Sequence, residues 1–476
     1  MPFKDVREFI TKLEAEGQLR RIAEEVDWNL EVGAMVRWAN EGGLPAPFFQ
    51  QIKGYPEGYS ILGSPVGTRQ RMAIAMDIDK DVSQREMIEE YLRRRQQPIK
   101  PILVNDGPCK ENIHVGDEVD LFKFPSPMVH EGDGGRYIGT FHATISRDLD
   151  SEWVNWSMYR HMLHTKNTLG ILAEPYTHLG MVRSQKYEPN NKIMEVAIAI
   201  GTEPVTSICA AAPVPHGVSE VDIAGGIRGE AVEVVKCETV DLVVPATSEI
   251  VIEGEIRPNE RMDEGTFGEY TGYVVGMREP RPVIHVKAIT HRNNPILTMT
   301  NPGMPVYDGC VILSVTLAAE VLDELRARGL PVTGVSSFAE TTQMLMVVAV
   351  KVPFANVAGE IAHIIWATRH GRSTPYVIVV EDDVDPFNLA EVLHALVTKC
   401  HPYRGIVRLE HTVAGGLVPF LNEYERKHLV GAKVYFDCTW PVDWDPSVVP
   451  TKSSFEKMYP SGVQQAALDK WSRHGY

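Results

Sequence analysis

Cysteine is scarce in this sequence and follows no metal-binding spacing. Six cysteines, at positions 109, 209, 237, 310, 400 and 438, are scattered without a CxxC pair. That excludes a disulfide framework, an iron–sulfur cluster and a structural zinc site, and it fits small buried thiols in a reduced, cytoplasmic protein. Long apolar runs are also missing. VILSVTLAAEVL and MLMVVAVKVPF are too short or too broken by charge to cross a bilayer. The start, MPFKDVREF, has no apolar stretch of the secretory kind. No block of positive charge offsets the formal net charge of −16, so neither nucleic acid nor a membrane is an expected partner. A small anionic ligand would need a locally basic pocket. Two glycine-rich loops, EGDGG at 131–135 and IAGGIRG at 223–229, follow neither GxGxxG nor GxxxxGK[ST] after a strand. They read as tight turns, not as a dinucleotide fingerprint or P-loop.

What is present describes a globular protein too long for one core: 476 residues, 44% apolar and 23% charged. Residues 5–17 predict a helix, with Asp5 and Glu8 at capping-box spacing, Phe9, Ile10 and Leu13 on one stripe, and Gly17 as a stop. Strands are expected at 48–52 and 58–63, and a helix at 85–96 whose basic end, YLRRRQQ, reads as a solvated face. From about 115 to 300 short β-rich runs recur between turn signals, which predicts a barrel or sandwich. Past 310 the pattern becomes alternating β and α. There VILSVTLAAEVLDELRARG reads as a strand or an apolar entry followed by a helix, MLMVVAVKV as a strand, and NVAGEIAHIIWATRHG as a helix ended by glycine. YVIVVEDDVDPFN reads as a buried strand that empties into Glu381, Asp382, Asp383 and Asp385, acids in a solvated, helix-capping position. The tail, with WPVDWDPSVVP and the polar helix QQAALDKWSRHG, reads as an arm that needs another surface.

The chemistry gathers around WVNWSMYR at 153–160, whose alternation of bulky apolar and polar residues suits a strand with one face toward a pocket. Asn155 and Arg160 lie in it, and His178, Glu220, Glu264 and Glu269 follow downstream. Composition alone does not group them; the resemblance given below does. An amide, an imidazole and a carboxylate suit one hard divalent cation. Glu264 and Glu269, in DEGTFGEYTGY, stand across a glycine-containing turn that can bend both toward one cavity. An arginine beside one would lower its pKa, and burial against an apolar substrate would raise the other, which divides the labour between an anchor or base and a proton donor. Surface acids in a turn are the competing reading.

Seven motifs then carry a resemblance over essentially the whole chain: NWSMYR at 155–160, GILAEPYTH at 170–178, GTEPVTSICAAAPVPHGVSEVDIAGGIRG at 201–229, SEIVIEGEI at 248–256, EGTFGEYTGY at 264–273, VVEDDVDPFN at 379–388 and FDCTWP at 436–441. Taken in this order they resemble the UbiD-type decarboxylases, which use prenylated FMN. The resemblance implies a multidomain α+β fold: an N-terminal α/β region (1–112), a central split β-barrel of flavin-reductase type that binds the cofactor (113–305), a C-terminal α/β domain (306–442) and an arm in subunit contact (443–476). It implies that Asn155, His178 and Glu220 hold Mn²⁺ or Mg²⁺ on the flavin phosphate. It places K⁺ or Na⁺ near the backbone of Trp156, Cys209 and Ala212, together with Glu220. Trp156, Ser157, Met158, Tyr159 and Thr177 join Asn155, Arg160, His178 and Glu220 around the cofactor, and Arg160, Glu264 and Glu269 form the catalytic set.

The activity implied is reversible, non-oxidative decarboxylation of an aromatic or heteroaromatic acid. The modified flavin serves as electron sink and a glutamic acid delivers the proton after CO₂ leaves. A prenyltransferase would supply the cofactor, and a homodimer or homohexamer is the expected assembly. Two alternatives are an FMN-dependent oxidoreductase and a partner subunit of a multi-subunit carboxylase. Within the resemblance, Thr266 stands where many relatives have proline. Tyr307 or Asp308 could meet a ring hydroxyl or ring nitrogen of the substrate, or else stand behind the residues that do. His161, His164 and His216 are uncommitted, with a hydrogen-bonded structural place expected for each.

Overall fold

Asp5 caps the first helix, Val6–Ala15, by accepting the Glu8 N–H at 2.9 Å, and buries Val6, Phe9, Ile10 and Leu13 beneath it. In this computed structural model, residues 2–275, 277–369 and 371–474 are described; His370 and Gly475, which the sequence reading includes in two helices, lie outside them. The N-terminal helices pack on a four-stranded sheet ordered Leu19–Val26, Ala46–Ile52, Ser60–Gly63 and Ile296–Met299. The fourth strand comes from far along the chain, so the N-terminal region and the segment leading to residue 300 share one sheet.

The central sheet has nine antiparallel strands, and its order positions the site. From one end it runs Tyr137–Gly139, His161–Thr165, Thr168–Ile171, Glu279–His291, Ile250–Glu264, Met194–Ile200, His142–Arg147 and Val154–Ser157, with Asn112–Val115 added on Glu279–His291. Val154–Ser157 is the last strand at one end and His161–Thr165 the second at the other, yet only Met158, Tyr159 and Arg160 separate them. Four peptide links reach at most about 14 Å. The sheet therefore curls on itself, and those three residues bridge the gap. This corrects the reading of 153–160 as one strand: the chain leaves the sheet after Ser157 to make the crossing, and Arg160 is carried on the bridge.

The C-terminal layer is a five-stranded sheet, Val332–Ser336, Leu345–Val350, Tyr376–Glu381, Val430–Cys438 and Ile406–Val413, with parallel pairing at its centre. Here 311–329 departs from the expected strand-then-helix. Asp308–Ala327 is one helix of 20 residues. Its apolar run is buried nearly all round, so helical and strand periods were indistinguishable there. The basic run at 93–95 is a solvated face only at Arg93, which is exposed and pairs with Glu90 at 2.7 Å. Arg94 donates to the Met76 and Ile227 carbonyls at 2.6 and 2.9 Å, and Arg95 pairs with Glu320 at 2.9 Å, which pins the helix Gln84–Arg95 to its neighbours. The acids after Tyr376–Glu381 are neutralised as a capping loop would be. Lys399 reaches Glu381 and Asp383 at 2.5 and 2.9 Å, and Arg85 reaches Asp385 at 3.0 Å. The tail ends in the helices Phe455–Met458 and Ser461–Ser472, which bury no residue.

Candidate active site

A cavity of about 360 Å³ opens between the bridge, the strand-end loops of the curled sheet and the helix Asp308–Ala327. Ser157, Met158, Tyr159 and Arg160 line it from the bridge, Thr177, His178 and Glu220 from one end, and Phe267 and Glu269 from the other.

At the first end three donor atoms converge. Asn155 Oδ1 lies 2.9 Å from His178 Nδ1, and Glu220 Oε1 lies 3.6 Å from the same nitrogen. Each comes from a different element: the strand Val154–Ser157, the start of the helix His178–Val182, and the start of the helix Glu220–Arg228. Thr177 caps the second helix by accepting the Gly180 N–H, which aims the imidazole. The Glu220 carboxylate also accepts the Trp156 N–H at 2.9 Å. Arg369, which the sequence reading did not single out, donates to His178 Nδ1 at 3.0 Å and to the Val214 carbonyl at 2.8 Å.

This arrangement can be tested for cation binding. A His178 Nδ1 that accepts from Arg369 presents a lone pair, and the Asn155 oxygen then faces it acceptor to acceptor. The amide cannot turn freely, because its nitrogen donates to Ser157 Oγ at 2.7 Å. A cation among the three atoms, taking the Nδ1 lone pair in place of the Arg369 N–H, would convert that repulsion into ligation, and an O,N,O set suits a hard divalent ion. Burial also pushes the Glu220 carboxyl up to about 8, so its ionised form needs positive charge close by. Among the described residues no group of three or more His, Cys, Asp or Glu side chains gathers as a metal site. This trio has two such residues, its third donor being an amide. The Cys209 carbonyl accepts the Ala212 N–H at 3.1 Å and the Ala212 carbonyl accepts the Val214 N–H at 3.0 Å.

At the other end Arg160 lies between two carboxylates. It makes a two-point contact with Glu264, Nε to Oε1 at 2.9 Å and Nη2 to Oε2 at 2.8 Å, and its Nη1 contacts Glu269. The two acids are not equivalent. Glu269 lines the cavity, whereas Glu264 is 1% exposed, stands behind the arginine, and accepts from the Tyr137 hydroxyl at 3.0 Å. The Phe267 ring lies under the guanidinium, 5.5 Å from centroid to Cζ. Burial holds the Tyr137 phenol far above its ordinary range, so it stays a donor to Glu264.

The remaining candidates divide. Tyr307 and Asp308 both reach the cavity wall, but Asp308 is fully buried and accepts the Val66 N–H at 2.8 Å and the Thr300 hydroxyl at 2.6 Å, which is an anchoring role. His161 is buried against Thr144, at 2.9 Å, and beside the His142 ring. His164 stands beside Glu264 on one face of Gly170, where a Cβ would meet His164 Nε2 at 2.7 Å and Glu264 Cγ at 2.9 Å, and His216 packs on Trp153 outside the cavity. Asn155, Trp156 and Glu264 support the wall without lining it. Glu174, Tyr176 and Tyr270 line it and were not foreseen. Burial raises the carboxyl pKa of Glu174 and pushes Tyr270 up to about 12.

Comparison with known proteins covers nearly the whole chain. Residues 102–305 match the 3-octaprenyl-4-hydroxybenzoate carboxy-lyase Rift-related domain, residues 10–91 the corresponding N-terminal domain and residues 310–438 the C-terminal domain. The chain belongs to the UbiD family. It is thereby an enzyme of the UbiD decarboxylase class. It is 33% identical over 489 residues to the pyrrole-2-carboxylic acid decarboxylase of Pseudomonas aeruginosa, with 99% of this chain and 98% of that one covered. Among solved structures, the vanillic acid decarboxylase of Sedimentibacter hydroxybenzoicus in closed form superposes with a TM-score of 0.92 at 30% identity, covering both chains fully. An evolved dimeric form of the UbiD-class enzyme HmfF from Pelotomaculum thermopropionicum, in complex with prFMN, superposes at 0.80 with 29% identity and covers 97% of this chain and 100% of that one.

Proposed function

We propose that this UbiD-family protein reversibly decarboxylates an aromatic or heteroaromatic acid, without net oxidation, using prenylated FMN bound in the cavity. The observation that carries the reading is the polarity of that cavity. An end where Asn155, His178, Glu220 and Arg369 converge, suited to a cation and a phosphate, stands opposite an acid–arginine–acid end. The relatives that act on pyrrole-2-carboxylic and vanillic acids support the substrate class, and the prFMN complex of HmfF supports the cofactor.

Asn155, His178 and Glu220 would hold Mn²⁺ or Mg²⁺ on the flavin phosphate, with Arg369 beside it. K⁺ or Na⁺ would lie near the Trp156, Cys209 and Ala212 backbone and Glu220. When bound, prenylated FMN supplies an electrophilic centre that accepts the electron pair released as CO₂ departs. The chain supplies the rest. Glu264 holds Arg160 planar and fixed from behind, which leaves the guanidinium free to orient a substrate carboxylate from the cavity side. Glu269, in its acid form, gives its proton to the carbon that has lost CO₂ and regains one from solvent. Phe267, Leu172 and Leu417 on the walls keep bulk water from the reacting carbon. A homodimer or homohexamer in the cytoplasm, loaded by a prenyltransferase, completes the reading, with 1–112, 113–305, 306–442 and 443–476 as the domain division.

Co-production with a flavin prenyltransferase tests this. Intact mass of the released cofactor should give prenylated FMN, and CO₂ should appear with at least one of pyrrole-2-carboxylate, vanillate and ferulate. Equal turnover with plain FMN, or redox turnover with NAD(P)H, would overturn it.

A further inference from the structure

The loop EGDGG, read from sequence as a tight turn, is the bed on which the catalytic loop lies. Gly134 donates its N–H to the Thr266 carbonyl at 2.8 Å, and Thr266 Oγ1 donates to the Gly132 carbonyl at 2.6 Å. Gly134 must be glycine, since a Cβ there would stand 1.6 Å from the Gly265 carbonyl oxygen. Just before this loop is His130, whose ring is tied at both nitrogens. Nδ1 faces the Asp133 carboxylate at 3.2 Å, and Nε2 faces Asn301 Oδ1 at 2.6 Å. The Asn301 amide is held in that sense because its nitrogen donates to the Gly33 carbonyl at 2.8 Å.

The His130 ring touches the catalytic loop directly. It packs edge-on against Phe267, with centroids 5.6 Å apart, and lies so close to Gly268 that a Cβ there would meet the ring at 2.5 Å. Phe267 supports Arg160, and Gly268 precedes Glu269. On its other side Asn301 adjoins Thr300 and Pro302, which line the cavity. His130 thus joins two walls of the cavity while staying outside it.

From this geometry we propose that His130 is a positioning residue. With Asp133 and Asn301 it clasps the loop 264–269 to the 300–302 wall and fixes Glu269 and Phe267 against Arg160. The clasp rests on the reading of Glu269 as the proton donor. A shift of about 1 Å in a donor costs on the order of 10²-fold in rate, so loss of the clasp should appear in turnover and not in cofactor retention, which depends on the opposite end.

The test uses the full chain loaded with cofactor, as wild type, His130→Ala, His130→Gln and Asn301→Ala. For the alanine variants kcat should fall about tenfold or more, with KM nearly unchanged and flavin and metal content at the wild-type level. Amide hydrogen exchange in peptides spanning 265–273 should quicken while the strand Met194–Ile200 keeps its protection. His130→Gln, which restores a donor toward Asn301, should recover much of both losses. The double variant should be little worse than either single. Unchanged kcat and exchange in both His130→Ala and Asn301→Ala would overturn the clasp, as would flavin loss that accounts for the lost activity. If His130→Ala fails to fold, Asn301→Ala and His130→Gln decide the matter by the same measures. Faster loop exchange in a protein whose wild type turns over no aromatic acid would refute the proposed function and leave the clasp standing.

Discussion

Arg160 has five N–H donors and commits three of them to two carboxylates. At the scale of single residues, that spending decides which acid is free to act. The same logic governs the other end of the cavity, where Glu220 and His178 would hold a cation against a phosphate. Replacing either with alanine should release flavin and metal together, because without the cation the charge of the phosphate itself is left uncompensated. Flavin-to-metal ratios measured on Glu220→Ala and His178→Ala check this; full flavin loading in a metal-free Glu220→Ala protein would contradict it. Asn155, His178 and Glu220 could be singled out from sequence through their motifs. Arg369 could not. It reaches its partners His178 and Val214 across 191 and 155 positions, and an arginine after a helix carries no local mark of such a contact. His130 was hidden for a related reason, since its meaning depends on where Gly268 and Asn301 come to rest.

At the scale of elements, the helix Asp308–Ala327 shows how a buried carboxylate can set a wall. Asp308 ties the helix start to Val66 and Thr300 by two buried hydrogen bonds. Asp308→Ala leaves both donors unpaired and should cost about 1–3 kcal/mol, read as a lower urea midpoint; an unchanged midpoint would refute the anchoring role. The β-rich middle, the αβ tail and the helices Val6–Ala15, Gln84–Arg95 and Val357–Ala367 were legible because their apolar periods are clean. IAGGIRG was misread as a tight turn: residues 223–228 belong to the helix Glu220–Arg228, and only Gly229, its left-handed end, turns. The helix Asp308–Ala327 was not legible as one element, since 13 of its 20 residues are buried and no polar face marks the turn. The strand reading of WVNWSMYR failed after Ser157 because nothing local signals that the sheet's two ends must be bridged there. For the glycine loop 131–135, Gly134→Ala should loosen the catalytic loop through its clash with Gly265 and cost about 1–3 kcal/mol, again measurable by urea unfolding.

At the scale of the whole molecule, the curled sheet buries a pair of histidines, and this sets its acid stability. Burial pushes the His161 imidazole down from an ordinary 6.5 to about 3. The unfolded chain binds a proton at His161 over that interval and the folded chain does not. Its contribution is therefore complete above 6.5 and is lost progressively as pH falls toward 3. Thermal midpoints of wild type should drop as pH is lowered through this window, and His161→Gln should show a shallower drop; parallel slopes would refute the assignment. The same curling brings the bridge, the loop 264–269 and the helix at 308 around one cavity. Glu269 faces the cavity and Glu264 backs Arg160. The most direct test is hydrogen–deuterium exchange at the former carboxyl position of the product, in matched Glu264→Gln and Glu269→Gln proteins of equal cofactor content. Glu269→Gln should lose exchange by on the order of 10²-fold or more, as expected for a positioned proton donor, with its cofactor retained. Near-wild-type exchange in Glu269→Gln, with exchange abolished only in Glu264→Gln, would contradict the account.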